Sequence, residues 1–166
     1  MSILSDEDIL ELISCEKLKI ENFSVESLTP NGYDLRISEI NIPTKSQMDY
    51  ERQFIVPQGT MFYVSTLEAV HLPNDICAQL WLRTTWIRKG IIAAFGKVDA
   101  GFHGTLTFTC FNASSNSIEI PQGSRFAQIV FERMTKPAMM SYERRSGHYQ
   151  GQRGITLQPV KKPDVQ

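Results

Sequence analysis

The stretch Val98–Asn112, VDAGFHGTLTFTCFN, sets a tight turn directly against a strand. Asp99, Ala100 and Gly101 are turn chemistry, because an aspartate side chain can bond its own backbone and glycine opens conformations closed to other residues. From Gly104 onward the residues alternate, and Thr105, Thr107 and Thr109 all point one way. That is the two-residue period of a half-buried strand.

Outward from this stretch the same pattern recurs. RQFIVPQGT (52–60), MFYVSTLEAVHLP (61–73), DICAQLWLR (75–83), GIIAAFG (90–96), NSIEIPQGS (116–124) and RFAQIVFERM (125–134) are short runs rich in aromatic and β-branched residues. Turns containing glycine or proline separate many of them. Short strands at this spacing predict an all-β antiparallel sandwich or barrel. LTPNGYDLRISEI (28–40) adds a Pro-Asn-Gly turn before a strand with Tyr33, Leu35 and Ile37 on one face. Ahead of it, SDEDILELIS (5–14) predicts a short amphipathic helix. Ser5 is its N-cap, Asp8 stands three residues on, and Ile9, Leu10, Leu12 and Ile13 form its apolar stripe.

A chain of 166 residues suffices for one domain with a real core. No basic region followed by an apolar run opens it, and no window approaches the roughly 18 apolar residues of a membrane span. The cytoplasm is therefore the expected location, with no membrane partner. A net charge of −1 argues against a nucleic-acid coat, yet a few converging arginines still suit a small polyanion. Cys15, Cys77 and Cys110 are scattered, which suits buried small hydrophobes better than disulfides or zinc. His71, His103 and His148 are equally isolated, so a metal cluster of side chains is not expected.

After Met134 the chain turns polar, basic and glycine-containing. Residues 1–140 are expected to form the β domain and 141–166 a tail. The tail is either frayed, as tails usually are, or a strap ordering over a ligand. The regular HYQGQRG (148–154), with its tyrosine and arginine, favours the strap.

Several segments carry candidate chemistry. In LRTTWIRKG (82–90), Arg83, Thr84, Thr85 and Arg88 are a suitable donor set for phosphate, although composition alone favours an ordinary solvated loop or helix start. In PQGSRFAQIVFER (121–133), Phe126, Ile129 and Phe131 suit a core. Gln128 there needs a partner, since an unmet buried amide costs about 1–3 kcal/mol. Asp99 is explained by an Asx turn, or it is a general base that deprotonates a water.

Together these segments resemble the family that unites deoxyuridine triphosphatases (dUTPases) with dCTP deaminases, and they are most similar to its deaminase-type branch. The resemblance runs in order through LSDEDILELI, NGYDLRI, LRTTWIRKGI, VDAGFHG, PQGSRFAQIVF and HYQGQRG. It implies a distorted β jelly roll, a homotrimer with nucleotide sites at subunit boundaries, and Mg²⁺ as cofactor. Residue by residue, it implies that Arg83, Thr84, Thr85 and Arg88 grip a triphosphate and that Gln128 belongs to the nucleotide site. Asp34 would meet the Mg²⁺ hydration shell. Asp99 would activate water, Phe102 would pack on deoxyribose, and Tyr142, His148 and Gln152 would close over the nucleotide.

The sequence departs from the deaminase pattern at two positions. Where deaminases carry a strand glutamate, three residues before the asparagine, this chain has Thr109; where they have a tail lysine, it has His148. Zinc-free deamination at C4 needs a side chain that shuttles a proton, which a carboxylate does and a threonine hydroxyl does not. The segments H-x-E and P-C-x-x-C of zinc deaminases are also missing. The expected activity is therefore hydrolysis of dUTP to dUMP and pyrophosphate. A dCTP deaminase and a non-catalytic nucleotide-binding protein of the same fold are the alternatives.

Overall fold

Runs of β-branched and aromatic residues need strand partners for their backbones. The computed structural model, which describes residues 2–43 and 53–160, supplies them in antiparallel pairs. In chain order the early strands are β1 (Ser2–Ile3), β2 (Lys19–Ile20), β3 (Leu28–Thr29), β4 (Gly32–Asn41) and β5 (Gln53–Val56). Next come β6 (Met61–Thr66), β7 (Val70–His71), β8 (Ile76–Leu82), β9 (Ile91–Ala94) and β10 (Lys97–Val98). The last are β11 (His103–Gly104), β12 (Thr107–Asn112), β13 (Ile118–Pro121) and β14 (Arg125–Arg133). Short α-helices accompany them: α1 (Asp6–Ser14), α2 (Thr84–Arg88) and α3 (Tyr142–Arg145).

The main sheet runs β10-β8-β14-β4-β6-β12-β9, with β1 added to β14 and β3 to β4. It curls into a half-barrel, and β4 makes the bend. Its Tyr33–Arg36 half pairs with β14, while Ile37–Asn41 pairs with β6 after a register shift. One long strand thus serves two layers, as strands at sheet corners do. Smaller ribbons, β11-β7-β2 and β13-β5, flank the main sheet. The expected distorted jelly roll is this curled antiparallel arrangement.

Tyr33, Leu35 and Ile37 are buried on one face of β4, and Asp34 between them is buried as well. β14 is covered on both faces, so Phe126, Ala127, Ile129, Val130 and Phe131 all lie in the core. Its central place in the sheet explains why strict alternation is lost there. Gly32 must remain glycine, because a Cβ there would meet the Ile129 carbonyl oxygen at 2.5 Å.

Helix α1 starts as its sequence predicts. The Ser5 hydroxyl accepts from the Asp8 N–H at 3.2 Å, and the Asp8 carboxylate accepts from the Ser5 N–H at 2.9 Å. Its apolar face is narrower than expected: Ile9 and Leu12 are buried, but Leu10 lies on the outer side. Cys77 and Cys110 are buried as expected, whereas Cys15 caps α1 in an exposed position. Burial pushes the Cys110 thiol up to about 12. Among the described residues no helix is long and apolar enough to cross a membrane. The end of the expected tail, 161–166, lies outside the described residues.

Candidate active site

The turn after β10 positions Asp99. Lys97 and Val98 pair with Gln79 and Ala78 of β8. The chain then reverses, with the Phe102 N–H donating to the Asp99 carbonyl at 3.1 Å and the Gly101 N–H to the Pro73 carbonyl at 3.2 Å. The Asp99 carboxylate is exposed and takes part in no hydrogen bond found among the described residues, so an Asx turn does not explain it. Phe102 is buried, with its ring edge-on to Tyr142 at 5.6 Å.

A cleft of about 600 Å³ opens beside this turn, walled by Tyr63, Asp99, Phe102, Thr109, Tyr142 and Gln152 among others. Thr109 is exposed toward it because β12 alternates, with Phe108 and Cys110 turned into the core. Asp99 is the one carboxylate among the described residues that line the cleft.

The tail forms the cleft's outer wall. The Gln152 side chain is buried and donates to the Thr105 carbonyl at 2.6 Å, while the Thr105 N–H donates back to the Gln152 carbonyl at 3.0 Å. Gln150 bridges the turn, donating to the Gly101 carbonyl at 2.9 Å and accepting from the His103 N–H at 3.1 Å. So close an approach needs Gly104, at φ +141°, where a Cβ would meet the Gln152 carbonyl oxygen at 2.8 Å. The described part of the tail, through Val160, packs along the Asp99 turn and β11. Tyr142 and Gln152 reach the cleft. His148 is exposed and is not among its lining residues, whereas Tyr149 is.

A second group gathers at the far end of β8. Arg83, Thr84, Thr85 and Arg88 sit on or beside α2, and the last three are exposed. Arg83 Nε lies 2.9 Å and Arg125 Nη1 3.7 Å from Asp34 Oδ2. Burial pushes the Asp34 carboxyl above its ordinary value, and the charges of Arg83 and Arg125 pull it partly back. Gln128 donates to the Thr29 hydroxyl at 2.7 Å, so its need for a partner is met within the fold. Trp86 anchors α2 by donating to the Arg125 carbonyl at 2.9 Å.

This donor set does not fit a resident metal ion. Asp34 is already neutralised by two guanidinium groups, and no cluster of three or more His, Cys, Asp or Glu side chains suited to a metal occurs among the described residues.

The two groups lie apart within one chain. β10 pairs with β8 as far as Val98 and Ala78, so Asp99 follows beside the start of β8, where it and Cys77 border one cavity. Arg83 stands six residues from Cys77 along an extended strand. At about 3.3 Å per residue that is roughly 20 Å.

Residues 3–134 match the family model described as dCTP deaminase-like. The chain belongs to the dCTP deaminase-like family. It is 37% identical over 149 residues to a dCTP deaminase of Pyrococcus horikoshii, covering 89% of this chain and 94% of that one. It is also 37% identical over 157 residues to a probable deoxyuridine 5′-triphosphate nucleotidohydrolase of Sulfolobus islandicus rod-shaped virus 1, covering 93% and 97%. Among solved structures, a 2′-deoxycytidine 5′-triphosphate deaminase from Agrobacterium tumefaciens superposes with a TM-score of 0.67 at 24% identity. That match covers 79% of this chain and 48% of the longer one. The dUTPase of Staphylococcus bacteriophage 80alpha with dUPNHPP gives a TM-score of 0.52 at 19% identity, covering 75% of this chain and 86% of that one. This dCTP deaminase-like protein is thus an enzyme of the dUTPase/dCTP deaminase family, on the fold that both branches share.

Other features that matter locally left little trace in the sequence. Asn112, which closes the opening stretch, is a buried hub. Its Nδ2 reaches the carbonyls of Val56, Pro57 and Asn116 at 2.9–3.1 Å, and its Oδ1 accepts from Ser114. Tyr63 and Tyr149 join the cleft from a strand and a tail whose meeting no local pattern announces.

Proposed function

We propose that this protein hydrolyses dUTP to dUMP and pyrophosphate, with Asp99 as the base that deprotonates the water attacking the α-phosphate. The observation that carries this reading is the make-up of the cleft, where Asp99 is the one carboxylate among the described lining residues and Thr109 faces in from β12. An exposed carboxylate without protein partners is free to hold and deprotonate a water. Deamination asks for a second group that shuttles a proton to departing ammonia, and Thr109 does not ionise in the neutral range. The nearest downstream acid, Glu119, is occupied on the β13–β5 ribbon, accepting from Gln53 at 2.6 Å.

Arg83, Thr84, Thr85 and Arg88 would hold the phosphates, with Asp34 fixing the direction of Arg83 and Arg125. Phe102 would pack on deoxyribose and would exclude a 2′-hydroxyl. Tyr142, Gln152 and the His148 segment would close the tail and exclude water. Mg²⁺ would arrive with the triphosphate. With Asp99 and Arg83 at opposite ends of β8, roughly 20 Å apart along the backbone, the two groups would serve one nucleotide most directly if they came from different subunits. That supports the homotrimer with shared sites.

The names of several relatives favour dCTP deamination as a second reading. One assay separates them: purified protein with Mg²⁺ and either dUTP or dCTP, products resolved by ion-exchange chromatography. Conversion of dUTP to dUMP with dCTP untouched is expected. Release of ammonia from dCTP would overturn the argument from Thr109.

A further inference from the structure

Arg153 is the one charged residue in the tail segment Gln152–Gln158, and it is paired with an acid on the body of the protein. Its guanidinium grips Glu21 with both terminal nitrogens, Nη1 to Oε2 at 2.9 Å and Nη2 to Oε1 at 3.1 Å. Glu21 Oε1 also lies 2.7 Å from His71 Nε2. The His71 ring stacks on His103 at 5.4 Å and 12°. His103 is the residue after Phe102, and its carbonyl accepts from the Gly151 N–H at 2.9 Å. Glu21 itself is fixed to the body, its N–H donating to the Ala69 carbonyl at 2.8 Å.

These contacts flank the cleft wall. Gln152, one residue before Arg153, lines the cleft, as do Thr156 and Leu157 just beyond. A second carboxylate, Glu39, accepts from the Ile155 N–H at 2.6 Å. The wall is therefore pinned to the body by acids on two separate strand regions.

We infer that Glu21 is a positioning residue that, through Arg153, latches the C-terminal segment over the Asp99 cleft. The inference rests on the reading of that cleft as the nucleotide site. An isolated surface ion pair contributes little, because solvent screens it and two long side chains must be ordered. Here the geometry is bidentate, one carboxylate oxygen is shared with an imidazole, and Arg153 sits within the segment it must hold. Closing the tail orders a stretch that otherwise samples many conformations, so a fixed anchor shifts the balance toward the closed arrangement.

The test uses the full-length protein and the variants Glu21→Gln, Arg153→Gln and the double variant. Hydrogen exchange of the Gly151, Gln152, Ile155 and Thr156 amides is followed without nucleotide, and kcat and KM for dUTP are measured alongside. Each single variant is expected to speed exchange of these amides about tenfold, and the double variant no more than either single. KM should rise with little change in melting temperature, and Arg153→Lys should restore part of the effect. Unchanged tail exchange in both singles, or effects that add in the double variant, would overturn the latch. Faster exchange with unaltered dUTP kinetics supports the latch and removes the cleft as the nucleotide site.

Discussion

Asp99→Asn tests the chemistry most directly. The substitution keeps the size and shape of the side chain and removes only its ability to take a proton. The Asp99 carboxylate is exposed and engages no partner found among the described residues, so its loss should change stability by no more than about 0.5 kcal/mol. A general base contributes about 10²–10⁴-fold to rate, and at about 1.36 kcal/mol per tenfold this raises the barrier by roughly 2.7–5.4 kcal/mol. No other acid lines the cleft among the described residues, so no neighbour is placed to take over, and the loss should fall toward the upper end. The assay is pyrophosphate release from saturating dUTP, paired with a thermal melt of the same preparation. The expected result is a collapse of kcat with an unchanged melting temperature. Turnover within about threefold of wild type, with the melt unchanged, would refute Asp99 as the base.

Three further outcomes test the surrounding structure. Asn112→Ala removes the amide from the Val56 and Pro57 carbonyls, while the Asn116 carbonyl keeps the Ser114 hydroxyl, and should cost about 2–3 kcal/mol in urea unfolding. A loss below about 1 kcal/mol would mean the hub is dispensable. Gly104→Ala sets a Cβ 2.8 Å from the Gln152 carbonyl oxygen at φ +141° and should cost about 1–3 kcal/mol, with tail amides released first in hydrogen exchange. Unaltered tail exchange would show that the close approach is not required. Glu21 is held down to about 2 from an ordinary 4.5, first by the hydrogen bonds of Arg153 and then by His71. A depressed carboxylate contributes stability present above its unfolded value and lost as pH falls through the folded one. The difference in tail protection between wild type and Glu21→Gln should be full above pH 4.5 and vanish toward pH 2. A difference constant across that window would assign the effect to something other than this ionisation.

Much of the architecture is legible in the sequence because it is written at short range. The Ser5–Asp8 capping box, the strand runs on both sides of Val98–Asn112 and the turn glycines each depend on residues within a few positions. Hydrophobic period, cap chemistry and turn preference act over that distance. The same locality explains the misreadings. Leu10 and Cys15 are apolar residues whose exposure depends on which side of α1 meets the sheet, and that side is set by distant strands. The path of the tail, which no local pattern encodes, sets Tyr149 in the cleft wall and leaves His148 exposed.

The sequence by itself determined the residue types available for chemistry: an acid on the Asp99 turn, a threonine at 109, and two arginines around a pair of hydroxyls. Those types are covalent facts and need no fold to be read. Only the tertiary structure decided how they are deployed. Sheet register set Asp99 and Arg83 at opposite ends of β8, arginines from two strand ends closed on Asp34, and a contact across 132 positions joined Glu21 to Arg153. Each of these juxtapositions depends on strand order, on the bend in β4 and on the path of the tail. Cooperative packing of the whole chain fixes these at once, and no window of neighbouring residues encodes them.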